Sequence, residues 1–182
     1  MSSFSVNAVS GNLTTISLST PTGTTPEDLS IHPSGRFLYT LSTGSNVIYM
    51  HSVSGSGALT ALAPSTIATG INPKKIVVSP NGKYIFVSNT TDNTISIYSV
   101  NTSSGALTAI VGSPFAAVAG AGVYALAVTA DNKYLVATGD ANSKGYIYLI
   151  NDASGSITQV GTEITLGANP RSALIVPLSA SE

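Results

Sequence analysis

The chain has 182 residues and no cysteine, with 7 basic against 8 acidic side chains for a net charge of -1. Only 8% of its residues are charged, against about 25% in an ordinary soluble domain. That excludes the basic field of a nucleic-acid binder, and the missing cysteine excludes disulfides, thiol catalysis and thiolate metal sites. No apolar run reaches the ~18 residues of a spanning helix, so no membrane partner is expected. The first residues lack a basic and then apolar stretch, so no signal peptide is expected. The compartment stays open, with a surface rich in Ser, Thr, Gly and Asn tilting it toward the extracytoplasmic side.

In chain order, residues 4–8 and 12–18 alternate as strands around a Gly11 turn. A unit from Pro26 to about Ile71 follows, with strands at 29–32, 36–41, 47–53 and 58–62. The unit 72–122 repeats the pattern at 76–79, 84–88, 94–100 and 106–111, and the unit 123–168 repeats it at 125–129, 134–138, 146–150 and 156–160. The turns His32-Pro33-Ser34-Gly35, Ser79-Pro80-Asn81-Gly82 and Thr129-Ala130-Asp131-Asn132 mark the same place in each unit, 47 and 50 residues apart. A Gly-x-Leu/Ile-Thr element begins at Gly11, Gly57, Gly105 and Gly155. No 3.6-residue apolar stripe or capping box announces a helix. Four strands per unit at this period predict an all-β fold, a β-propeller of four-stranded antiparallel blades forming one domain over 1–182.

The ends complete the reading. Residues 4–24 align with strands three and four of a unit, and 170–178 with strand one, so a fourth blade is split between the termini. An open arc would expose strand edges and an apolar blade face. Closure is therefore expected, either by two chains associating as a homodimer or by one chain forming a four-bladed ring. The third possibility is that the chain is a piece of a longer protein.

The run Tyr84-Ile85-Phe86-Val87-Ser88-Asn89, with Asn93-Thr94-Ile95-Ser96-Ile97-Tyr98, Ser79-Pro80-Asn81-Gly82-Lys83 and Ser104-Gly105-Ala106-Leu107-Thr108, resembles the YVTN repeat of lactonase-type, 6-phosphogluconolactonase-like seven-bladed propellers. The resemblance covers roughly residues 4–178 and implies a lactonase or a carboxymuconate-type cyclase. It carries over no catalytic residue, because the matching positions are turn and core positions, and the chain is about half the family's usual length.

Comparing the units isolates one place where they differ in charge. Just ahead of each first strand stand Glu27-Asp28, then Lys74-Lys75, Tyr124-Ala125 and Arg171-Ser172. In a ring these positions surround the channel mouth. Lys74, Lys75, Tyr124 and Arg171 are the candidate ligand-binding residues, suited to a small anionic ligand, and Glu27 and Asp28 are the candidate catalytic bases. The competing expectation is that these charges pair across blades. The loops with Asn89 and Asp92, and with Asp140, Asn142 and Lys144, lack the dense oxygen alternation of a calcium site. His32 and His51 replace Ser79/Thr129 and Tyr98/Tyr148 at structural positions. No metal or other cofactor is expected, and no Gly-x-Ser-x-Gly elbow is present. The first expectation is a non-catalytic propeller binding or scaffold module; the alternative is a metal-independent lactonase or cyclase acting on a sugar or carboxylated lactone.

Overall fold

A computed structural model describes residues 1–17, 20–118 and 120–176. It is an all-β propeller arc. A hairpin of β1 (Ser3–Val6) and β2 (Leu13–Ser17) precedes three antiparallel sheets. The first sheet orders β3 (Pro26–Ile31), β4 (Phe37–Ser42), β5 (Val47–Val53) and β6 (Leu59–Ala68) side by side. The second holds β7 (Pro73–Val78), β8 (Tyr84–Asn89), β9 (Thr94–Val100) and β10 (Leu107–Ala109). The third holds β12 (Val123–Val128), β13 (Tyr134–Gly139), β14 (Lys144–Ile150) and β15 (Ile157–Thr165). The first strands β3, β7 and β12 lie next to one another from sheet to sheet.

Three differences from the sequence reading have local causes. The first strands begin earlier, at Pro26, Pro73 and Val123. Proline is tolerated there because a strand's first residue need not donate to the ladder. In the second sheet the outer edge is split, β11 (Phe115–Ala116) pairing with β9 at Ile95 and Thr94 while β10 pairs with Val100, Ser99 and Tyr98. Ser113 Oγ fills the gap by accepting from the Ile97 N–H at 2.8 Å. Residues 171–176, read as strand one of the split blade, pair with no strand among the described residues. The ends of two expected strands, Leu18 and residues 177–178, lie outside them.

The core lies between the sheets. In one cluster Tyr39, Leu41, Ile48 and Met50 of the first sheet pack against Ile76 and Val78 of the second. In the other, Phe86, Ile95 and Ile97 of the second meet Val123 and Leu126 of the third. Each such buried side chain contributes about 1.5–3 kcal/mol. The seams are also stitched by hydrogen bonds to the carbonyl that opens the next first strand, the third from a donor two residues earlier in its repeat. Thr43 Oγ1 donates to the Pro73 carbonyl at 2.7 Å, and Thr90 Oγ1 to that of Val123 at 2.8 Å. Thr138 Oγ1 donates to that of Pro170 at 2.5 Å. The third bond places Pro170 where the next first strand starts, and Asn169, like Asn72, has a left-handed φ there (54° and 58°).

Two of the repeated glycines are required by close approach. A Cβ on Gly105 would enter the Phe37 ring, and one on Gly155 the Tyr84 ring, and both have positive φ (77° and 76°). Gly155→Ala therefore suffers twice, from backbone strain and from overlap across a seam. We expect it to destabilise the fold by roughly 1–3 kcal/mol. Gly55→Ala, in open space, should change the thermal midpoint little, and calorimetry of the two variants checks the contrast.

Candidate functional site

Because β3, β7 and β12 are neighbours, the residues that open them form one row across the arc. The structure brings Glu27 and Asp28 together with Lys74 and Lys75. Lys74 Nζ lies 3.3 Å from Glu27 Oε2, with the two side chains 20% and 30% exposed. Lys75 Nζ lies 3.2 Å from Asp28 Oδ1 and 3.1 Å from Oδ2. Asp28 Oδ2 also accepts from the Ile76 N–H at 2.9 Å, and Thr43 Oγ1 is 3.3 Å from Glu27 Oε2. Both acids thus hold the seam between the first and second sheets. Two residues on, Ser30 Oγ accepts from the Val78 N–H at 3.3 Å and extends the same seam.

Tyr124 and Arg171 form the second half of the row. The Arg171 guanidinium stands 5.2 Å from the centre of the Tyr124 ring. Its Nε and Nη2 reach Asp140 at 3.4 and 3.2 Å. The hydrogen bond and charge of Asp140 hold this guanidinium yet more firmly protonated. Asp140 occupies the place of Thr43 and Thr90 at the start of the loop after the second strand, so its role as the Arg171 partner follows from repeat position. The sequence alone could have suggested it only by aligning that loop across the units. Both Nη1 hydrogens and the second on Nη2 remain as donors, and the side chain is 62% exposed. The row therefore alternates acid–base pair, aromatic ring and stacked cation.

A groove of about 380 Å³ opens beside Glu27 and Asp28, between Met1, Pro26, Leu29 and Thr40. The Thr40 hydroxyl is buried there without a partner. It was not among the residues singled out by sequence, since Thr at that place reads as an ordinary strand residue.

The oxygens of Asn89 and Asp92 are engaged in local structure. Asn89 Oδ1 accepts from the Gly70 N–H at 3.1 Å, and Asp92 Oδ2 from the Ile71 N–H at 2.6 Å. Asn142 Nδ2 donates to the Tyr146 hydroxyl, while its Oδ1 is buried without a partner. Among the described residues no group of three or more His, Asp or Glu is placed to hold a metal ion. His32 joins turns of adjacent sheets, its Nε2 3.1 Å from the Gly82 carbonyl and its Nδ1 accepting from the Ser34 N–H at 3.1 Å.

His51 is buried, and its Nδ1 has no partner. Its ring bonds the backbone of Pro21, where the equivalent Tyr98 donates its hydroxyl to the Ala68 carbonyl at 2.6 Å. Burial pushes the imidazole below its ordinary value of 6.5, the Pro21 bond opposes this, and the amino terminus adds to the lowering. The folded state thus favours the neutral ring. Its contribution to stability is complete above pH 6.5 and is lost as pH falls through the depressed folded value. Unfolding midpoints should drop between about pH 7 and 5, and His51→Tyr, the residue of the sister sheets, should flatten that slope in thermal melts at each pH.

The family model described as "Lactonase, 7-bladed beta-propeller" matches residues 3–118. Among solved structures, the chain is similar to a putative 6-phosphogluconolactonase from Bacteroides fragilis, at 20% identity and a TM-score of 0.75, over 93% of this chain and 49% of that one. It is similar to the periplasmic gluconolactonase of Pseudomonas aeruginosa, at 17% identity and a TM-score of 0.77, over 91% of this chain and 50% of that one. A protein from Lactobacillus plantarum gives 20% identity and a TM-score of 0.75, over 90% and 50%. No curated protein sequence matches. At these identities the likeness shows the fold, and the chain spans about half the length of these structures.

Proposed function

Because the chain belongs to the lactonase, 7-bladed β-propeller family, we propose that it is a lactonase-related binding module. It takes a small carboxylated or phosphorylated ligand at the row Lys74, Lys75, Tyr124 and Arg171 and does not turn it over. The observation that carries this reading is the commitment of Asp28. Its carboxylate accepts the Ile76 N–H and the Lys75 ammonium, so the best placed acid serves a seam rather than a substrate proton. Arg171 offers what an anion needs, a fixed planar fork whose outer donors face solvent and whose face is supported by an aromatic ring.

A second reading, lactone hydrolysis, is favoured by the names of the structural neighbours, a putative 6-phosphogluconolactonase and a periplasmic gluconolactonase. In that reading Glu27 or Asp28 would have to be released from its lysine when substrate enters the neighbouring groove.

Calorimetric titration with gluconate and 6-phosphogluconate, together with pH-stat measurement of δ-gluconolactone opening, separates the two. The binding reading expects heat of binding to at least one acid. Arg171→Ala should weaken that binding by roughly 10–100-fold, the worth of about 1.5–3 kcal/mol for a charged hydrogen bond. Lactone opening should stay at the uncatalysed rate. An acceleration that Asp28→Asn removes would establish hydrolysis instead, and silence toward both acids would sink the binding reading.

A further inference from the structure

The two outer faces of the arc are the same two faces that meet inside it. At the first internal seam Ile76 and Val78 of the inner strand seat on the preceding sheet and are 2% and 8% exposed. Their equivalents on the first sheet, Leu29 and Ile31, have no whole sheet before them and are each 54% exposed. At the other end, Val136 and Ile147 of the third sheet stand where Tyr39 and Met50, or Phe86 and Ile97, are fully covered. They are only half-buried and line an apolar groove of about 370 Å³. Residues 172–174 lie beside part of this face, and Leu174 among them is 84% exposed.

We infer that the occupant of each face is a second copy of this chain. In this arrangement two chains associate head to tail about the channel axis, so that the Leu174 end of each meets the Leu29 end of the other and a single closed ring results. The internal seams supply the template, because a face of one type is covered in this molecule by a face of the other, and every copy displays one of each. The charges agree with the same pairing. Along the row the seam between the first two sheets joins an acid to the next sheet's base, Glu27 to Lys74. Closure sets Arg171, 62% exposed, next to Glu27 of the partner subunit, repeating that order with the sign reversed. Residues 172–176, unpaired in one chain, would enter the sheet to which the partner's hairpin of β1 and β2 belongs. Three whole sheets and one shared sheet per copy make a ring of eight, within the ~4–8 blades that propellers use. An asymmetric contact of this kind closes into a ring or runs on as a filament, and the mass in solution tells the two apart. The inference does not depend on the ligand reading above.

Light scattering coupled to size exclusion, across a hundredfold range of concentration, tests it. The expected result is twice the 18.4 kDa of one chain, held as a plateau. Leu29→Glu and Leu174→Asp, both at positions exposed in the single chain, should each halve that mass while the circular dichroism stays that of the parent. Val111→Asp, 98% exposed and outside both faces, should leave the double mass. A folded parent at 18.4 kDa, a mass that keeps climbing with concentration, or a double mass insensitive to both face variants would each overturn the inference.

Discussion

Everything in this molecule rests on apolar side chains of one sheet seating on the face of the next. No sheet has a core of its own. Tyr39 and Met50 are buried only because Ile76 and Val78 stand opposite, and Phe86 and Ile97 only because the third sheet does. Each seam therefore stabilises two sheets at once, and stability is a chain of nearest-neighbour terms, as in other repeat architectures. The repeated glycines are subordinate to this arrangement: Gly105 and Gly155 sit against Phe37 and Tyr84 of the preceding sheet because the sheets must come that close.

The same constraint explains how so few charges are used. Glu27, Asp28, Lys74 and Lys75 pair across the first seam, Asp140 and Arg171 across the last, and Lys83 meets Asp152 across the one between. Exposed pairs of this kind contribute little energy singly. What they add is registration, since a charged group at a seam penalises sliding of one sheet along another. A charge recruited for chemistry, acid or base alike, would have to be released from this duty.

Much of the fold was legible in the sequence. Asn-Gly and Asn-Lys turns, Gly-x-Leu/Ile-Thr elements and alternating strands recur at nearly the same distance, and each has a local physical cause. The beginnings of the first strands were less legible, because Pro26 and Pro73 suggest a break while an edge position tolerates them. The division of the outer strand at Ser113 depends on one side chain replacing a backbone partner, which no pattern announces. The charge row was found by comparing copies, yet its chemistry was not decided by that comparison. Acids in one unit and bases in the next are equally consistent with convergence on a cavity and with pairing at a seam, and only the 3 Å contacts distinguish them. Thr40 was invisible because burial of a strand hydroxyl without a partner is a matter of packing that no pattern announces.

The threonine-to-carbonyl bonds have a consequence for shape. Thr43 to Pro73, Thr90 to Val123 and Thr138 to Pro170 each reach the carbonyl at the opening of the next first strand, the third from two residues earlier in its repeat and all over nearly the same distance. The angle between successive sheets is thus set locally, by one hydroxyl and the side chains packed behind it. An arch built this way holds its radius before any keystone arrives. The last of the three bonds is already made, to a carbonyl that begins a sheet not otherwise present among the described residues. The molecule therefore sets in its own bonds the direction in which the chain leaves the third sheet.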